Sequence, residues 1–350
     1  MLFILLYRNE GYTVQTVWLH KTTYKWMGLI AGIIILLLSV AASVLFGVHS
    51  TGWREVLEAF TSYNGSTEHI IVREVRVPRA LIAAFVGGSL GICGVLLQSL
   101  TKNPLADSGI FGLNAGASLF VVASFVLFGV SSLASFTWIA FLGAGVSCLF
   151  VFILGSAGRQ GLTPLKITLA GAAITAFCSS MTNGMLIISG RAMEEVLFWM
   201  SGSVEGRSLD ILLSLLPYML AAWLVALLIS SSINTLMLGD DVAKSLGQRT
   251  LLLKLTMGVL IVVLAGSSVA VAGPIGFLGL VIPHIARTVV GKDIRWLIPY
   301  SAVMGGILLL LADIAARFIA MPREIPIGVM TAIIGVPFFI HAARKGLLRK

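Results

Sequence analysis

Charge is scarce in this chain: Asp, Glu, Lys and Arg together make up 11% of 350 residues, against 58% hydrophobic. So few charges cannot clothe a water-exposed surface, which excludes an ordinary soluble domain. Cysteine is rarer still. Cys93, Cys148 and Cys178 each fall inside a long apolar run, with no paired spacing and no neighbouring His. That pattern excludes a disulfide framework and a cysteine metal set, and leaves small buried apolar residues. There is no Gly-x-x-x-x-Gly-Lys-Ser/Thr phosphate loop, no His-Glu-x-x-His, and no carboxylate pair or nucleophile with an evident base. No metal site, no cofactor bound by the chain and no catalytic residues are therefore expected. Ionisable side chains are nearly missing from the centres of the apolar runs, which counts against an ion-coupled relay.

What the chain does have is apolar runs of membrane-spanning length. Ten stretches qualify, at about 26–47, 79–98, 110–130, 135–155, 166–188, 209–230, 251–272, 276–290, 297–317 and 325–343. The eighth is short and glycine-rich. With the N-terminus inside, all nine lysines fall on one side of the bilayer. Sixteen Lys/Arg and five acids lie in inner segments, eight and ten in outer ones, leaving about +11 inside and −2 outside. Short loops retain Lys and Arg in the cytoplasm, so both termini are expected there. The net charge of +9 reports topology and argues nothing for nucleic acid.

The reading is therefore an all-α polytopic membrane protein of about ten transmembrane helices. It comprises a polar cytoplasmic N-terminal segment, 1–25, and a membrane domain, 26–350, with a long cytoplasmic loop at 231–250. Five spans per half with opposite starting sides allow inverted five-helix repeats. Residues 53–60 in the first outer loop show apolar positions at helical spacing and suggest a short surface helix. Gly87, Gly91 and Gly94, and Gly112 and Gly116, suit close helix packing.

Three local patterns stand out. Arg73-Glu74-Val75-Arg76-Val77-Pro78-Arg79 sits at the outer mouth of the second span, where three arginines run against the charge rule and require compensation. They could present planar forks to carboxylates on a partner or snorkel to lipid phosphates. Residues 98–107, containing Asn103-Pro104, make a tight turn at the inner end of that span. In the 231–250 loop, Leu238-Gly239-Asp240-Asp241-Val242-Ala243-Lys244-Ser245-Leu246-Gly247 reads as a short helix. Its acids lie at the positive end, Val242, Ala243 and Leu246 form an apolar face, and Gly247 terminates it. Such a helix could be a knob for a partner's cleft or rest on lipid.

These segments, with Gly112–Ala117, Gly273–Arg287, Ala312-Asp313-Ile314-Ala315-Ala316-Arg317 and Glu324–Val329, occur in one order that resembles the permease subunits of binding-protein-dependent ABC importers for iron complexes and cobalamin. The likeness runs from about residue 26 to the C-terminus. It implies a type II importer permease that forms the translocation pathway as a dimer, with a second copy or a paralogue, in the bacterial cytoplasmic membrane. A cytoplasmic ABC ATPase dimer, holding ATP and Mg, would lie below, and an extracytoplasmic solute-binding protein above. By motif, Arg76, Arg79 and Arg317 would dock the binding protein, and Leu238, Gly239, Asp240, Asp241, Val242, Ala243, Ser245, Leu246 and Gly247 would couple to the ATPase. Pathway candidates on the fifth and tenth spans are Thr175, Ser179, Met181, Asn183, Met185 and Thr331. The substrate expected is a ferric siderophore, with cobalamin or haem as the alternative. An ion-coupled secondary transporter or channel is the reading from another class. His284 stands without companion ligands and reads as a structural hydrogen-bonder.

Overall fold

Proline and glycine divide the apolar sequence into helices. The computed structural model describes residues 18–47, 52–109, 111–158, 162–319 and 324–347, without the side chains of 191–195, 341–343 and 345–347. Residues 1–17 of the expected N-terminal segment lie outside this set, as do Arg8, Arg159, Arg323, Arg349 and Lys350 of the charge count. Among the described residues there are helices and no strand. Helices α1 (Thr22–Leu45), α2 (Trp53–Thr61) and α3 (Thr67–Ile70) lead through a π-helical stretch, Ile71–Arg76, into α4 (Val77–Thr101). There follow α5 (Leu113–Phe128), α6 (Leu133–Ser156), α7 (Pro164–Ile188), α8 (Gly190–Met200), α9 (Leu209–Leu228) and α10 (Ser230–Met237). The chain closes with α11 (Asp240–Ser245), α12 (Thr250–Ala272), α13 (Leu278–Val290), α14 (Ile294–Ile319) and α15 (Ile327–Leu347).

Local chemistry sets several of these boundaries. Pro78 lies in the first turn of α4 and Pro164 opens α7, where the missing amide hydrogen costs nothing. Thr163 caps α7 by accepting from the Lys166 amide at 3.4 Å. Gly239 at φ 124° and Gly247 at φ 79° bracket α11 in backbone that a β-carbon would strain. The surface helix expected at 53–60 is α2, which buries Val56 and Ala59 and exposes Trp53, Leu57 and Phe60.

The ten expected spans correspond to α1, α4, α5, α6, α7, α9, α12, α13, α14 and α15, with ends displaced by at most four residues. Seven of these helices are long and apolar enough to cross a membrane; α5, α13 and the apolar part of α15, Ile327–Ile340, are shorter. Two helices form the buried axis. α4 and α12 pack on each other, with α13 and α14 against α4 and α5 and α6 against α12. α7 lies on α5 and α6 as α15 lies on α13 and α14, so α4–α7 and α12–α15 are packed alike and run oppositely. The lead helices depart from this correspondence: α1 packs on α14, whereas α9 packs on α12.

Small residues make the axis possible. A β-carbon at Gly87 or Gly91 would lie 2.3 or 2.2 Å from the Gly305 or Ser301 carbonyl oxygen of α14, and one at Gly94 would lie 2.0 Å from the Gly279 oxygen of α13. Gly116 meets Ser147 and the Gly143 carbonyl of α6 in the same way. Here backbones touch, gaining the dispersion contacts that replace hydrophobic driving force in lipid.

Candidate functional site

The two short spans α5 and α13 are preceded by non-helical lead-ins, described at 102–109 and 111–112 and at 273–277, that meet inside the bundle. Both enter their helix through a left-handed residue, Gly112 at φ 72° and Phe277 at φ 66°. Asp107 accepts from the Phe277 amide at 3.1 Å, which satisfies one open donor at the start of α13. Asn114 Nδ2 donates to the Ile275 carbonyl at 3.4 Å, and Gln98 Nε2 donates to the Gly279 carbonyl at 3.1 Å. Irregular backbone at membrane depth is tolerated only where protein or a water-filled cavity satisfies it. A cleft with a partly polar lining lies at this junction. It measures about 360 Å³ and is lined by Gly109, Asn114, Ala115, Ser118, Thr175, Ser179, Thr182, Asn183, Met200 and Pro274.

Three of the six pathway candidates, Thr175, Ser179 and Asn183, line this cavity. Thr175 Oγ1 donates to the Gly171 carbonyl at 2.8 Å and approaches the Gly109 carbonyl at 3.3 Å, joining α7 to the α5 lead-in. The middle of α7 exposes Ala172, Ala176, Ser179, Ser180 and Asn183 on one face, with Leu169 and Ile187 exposed on the same face toward its ends. The middle of that face carries Ser179, Ser180 and Asn183, in contrast to exposed Ile30, Ile33, Ile34, Leu37 and Leu38 of α1. Met181, Met185 and Thr331 do not line the cavity. At 100° per residue Met181 falls on the far side of α7 from Ser179, where it is exposed, and Met185 packs against the core. Thr331 is buried and bonds the Gly328 carbonyl of its own helix. Sequence reasoning missed Asn114, Ser118 and Thr182 as lining residues. The Asn in Gly112-Leu113-Asn114-Ala115-Gly116 was the available signal, since it falls in the first turn of a span too short to cross.

At the Lys102 end of the bundle, α10 and α11 form the exposed excursion. Leu238, Val242 and Leu246 are exposed together with Met237, while Asp241 projects fully. Ala243 is turned inward and fully buried, so the exposed apolar face lacks it. A six-residue helix has one inward position per turn, and Ala243 occupies it. Ser245 Oγ bonds the Val242 carbonyl, and Gly247 ends the helix with its amide on the Lys244 carbonyl, as its sequence position suggests. Asp240 does more than favour the helix start. Its carboxylate accepts from Lys102 Nζ at 2.9 Å and also from Lys254 Nζ. Burial alone would push this carboxyl up, but the hydrogen bonds from Lys254 and Lys102 outweigh it and hold the pKa below the ordinary carboxylate value. A second tether joins Asn234 Nδ2 to Asp293 at 2.7 Å and the Ile294 amide to Asn234 Oδ1 at 2.9 Å.

At the opposite end the three arginines are buried, with 4% of Arg76, 7% of Arg79 and 2% of Arg317 exposed. Arg79 grips Asp313 through Nε at 2.9 Å and Nη2 at 2.8 Å and pairs with Glu324 at 2.7 Å. Arg317 shares Asp313 and donates to the Ser43 and Phe46 carbonyls, each at 2.7 Å. Arg76 donates to the Val44 and Leu45 carbonyls at 3.0 and 2.9 Å. These carbonyls are the open C-terminal acceptors of α1, where cations are favoured. The compensation that Arg76 and Arg79 require is thus supplied by the chain itself, while Arg73 of the same run is exposed and lies over the Tyr63 and Phe60 rings.

Residues 35–345 match the FecCD transport family. Over 326 residues the chain is 53% identical to the probable siderophore transport system permease protein YfiZ of Bacillus subtilis (strain 168), covering 93% of this chain and 98% of that one. It is 41% identical over 327 residues to the Fe(3+)-citrate import system permease protein YfmD of the same organism, with 93% and 97% covered. A solved structure described as a metal-chelate type ABC transporter in an inward-facing conformation superposes with a TM-score of 0.79 at 27% identity, over 91% of this chain and 99% of that one. The family match spans more than two thirds of the chain and agrees with the helix order and the paired broken spans: the chain is a multi-pass membrane permease belonging to the FecCD transport family.

Proposed function

We propose that this chain forms, with a second copy or a paralogue, the translocation pathway of an ATP-driven importer for ferric siderophores in a bacterial cytoplasmic membrane. The observation that carries the reading is the polar cavity at the junction of the two broken spans, continuous with a polar exposed face on α7. Short, interrupted spans in corresponding positions of two inverted halves mark substrate sites in transporters. A polar helix face in an otherwise greasy exterior calls for water or a second protein. The substrate class follows from the relatives, whose names specify siderophore and Fe(3+)-citrate import. At about 360 Å³ the cavity lies near the lower end of small-molecule sites, in keeping with a passage completed by a second chain.

The exposed apolar residues Leu238, Val242 and Leu246 would seat in a cytoplasmic ATPase, placing both termini inside. Arg76, Arg79 and Arg317 would hold the ends of α1, α4 and α14 as a rigid lip for a solute-binding protein. Of the two carboxylates they pair with among the described residues, Glu324, with 18% of its side chain exposed against 1% for Asp313, would be the one within reach of an incoming charge. Deleting the gene for this chain should abolish radio-iron uptake from ferric siderophores while leaving cobalamin uptake intact, and restoring the gene should recover it. Unchanged siderophore uptake in the deletion strain would reject the substrate. Uphill transport by the purified chain alone in liposomes under an ion gradient would reject the whole reading in favour of a secondary transporter.

A further inference from the structure

We propose that Asp240 is the positioning residue through which movement of the exposed α10–α11 excursion reaches the polar cavity, acting as a clasp on Lys102 and Lys254. The inference rests on the reading that α10–α11 seats a partner ATPase, and adds which side chain carries the motion inward. Asp240 opens α11, and its two carboxylate oxygens are divided between two helices: Oδ1 accepts from Lys102 at 2.9 Å and Oδ2 from Lys254. Those helices are α4 and α12, the buried axis of the bundle. Each lysine stands at the root of a segment that leads to the cavity.

Lys102 is the left-handed residue, φ 49°, that ends α4 and begins the lead-in to α5. Seven residues on, Gly109 lines the cavity and its carbonyl meets Thr175 of α7. Lys254 is 7% exposed and donates with the same ammonium to the Leu162 carbonyl at 3.3 Å, immediately before Thr163 and Pro164 start α7. One carboxylate therefore ties α11 to the starts of both elements that bear the cavity's polar lining. Were α11 to move without Lys254, whose side chain is 8% exposed, that ammonium would stay desolvated and lose its carboxylate, which is costly. The clasp thus moves as a unit. Asp241, the neighbouring acid, is fully exposed and stands 4.0 Å from Lys244 of its own helix. It has no such reach toward α4 or α12. Spatial continuity alone does not establish coupling, so the test measures it.

The assay uses the intact complex, purified through a tag on this chain with its bound ATPase and reconstituted in proteoliposomes with loaded binding protein. It reads three quantities: ATPase recovered per permease, ATP hydrolysed, and siderophore transported per ATP. For Asp240→Asn the expected result is normal ATPase recovery and continued hydrolysis, with transport per ATP lowered about tenfold or more. Lys292→Gln, an exposed charge outside the clasp and the excursion, should match the wild type, and Asp240→Glu, which keeps the charge, should recover most of the lost ratio. Combining Asp240→Asn with Lys102→Gln should be no worse than either change alone, because both open one clasp. Transport per ATP unchanged in Asp240→Asn would overturn the proposal. Loss of the ATPase from Asp240→Asn alone would also overturn it, since Asp240 would then be an assembly contact. If Asp240→Asn does not yield a folded complex, Lys102→Gln, altered at a partly exposed side chain, carries the same expectation and the same refutation. Absence of any ATPase from the wild-type preparation would fail the importer reading itself, and is seen before any variant is made.

Discussion

Asp313 is 1% exposed and stands between two guanidinium groups, one from its own helix four residues on and one from α4. A single carboxylate thereby serves two buried cations, and its removal strands Arg317 and leaves Arg79 with Glu324 alone. Breaking a buried pair by deleting one partner typically costs about 3–5 kcal/mol, because the remaining charge stays desolvated. Asp313→Asn should therefore lower thermal stability in detergent by that order. Glu324→Gln, at a partly solvated side chain, should cost less than about 1 kcal/mol. Equal melting temperatures for the two variants would refute a shared role for Asp313. The spacing Asp313 to Arg317 was legible as an i, i+4 pair. That Arg79, 234 residues earlier, closes on the same carboxylate was not.

At the scale of elements, contact between backbones sets the geometry of the axis. Gly94 faces the Gly279 carbonyl so closely that a methyl group must push α4 and α13 apart. Overpacking of this kind typically costs about 1–3 kcal/mol, and Gly94→Ala should show it as a lower melting temperature. Gly184 of α7, with nothing within 4 Å of an added β-carbon, should tolerate Ala within about 0.5 kcal/mol. If both changes prove neutral, close packing at Gly94 is not what holds α13 in place. The existence and order of the ten spans were readable from apolar run length alone. That the third and eighth spans start inside the bundle was only hinted at, by the glycines of the eighth and the Asn-Pro before the third. Run length does not distinguish a span that starts deep from one that starts at the surface.

Over the whole molecule, the decisive contrast is between two kinds of exposed helix. α1 presents branched aliphatic side chains, as lipid requires, while the middle of α7 presents alanines, serines and Asn183. If that face lines water, a cysteine there will ionise and react with a charged maleimide, whereas one facing lipid will stay a thiol. Ser180→Cys should label at least about ten times faster than Leu37→Cys in the membrane. The native Cys93, Cys148 and Cys178 are all buried and should contribute little background. Equal labelling at the two sites would place α7 against lipid and remove the pathway from this face.

Sequence alone determined that the chain crosses a membrane, roughly where it does so, and which segments turn or break. These properties depend on hydrophobic length, charge placement and the backbone limits of proline and glycine, all of which are local. Only the tertiary structure decided what the polar and charged residues do. Long-range packing brought Asp107 to the start of α13, Asp240 to two lysines, Arg76 and Arg317 onto the end of α1, and Arg79 to Asp313. In a low-dielectric interior each such group must find a partner, and which one it finds is set by helix crossings that no local pattern encodes.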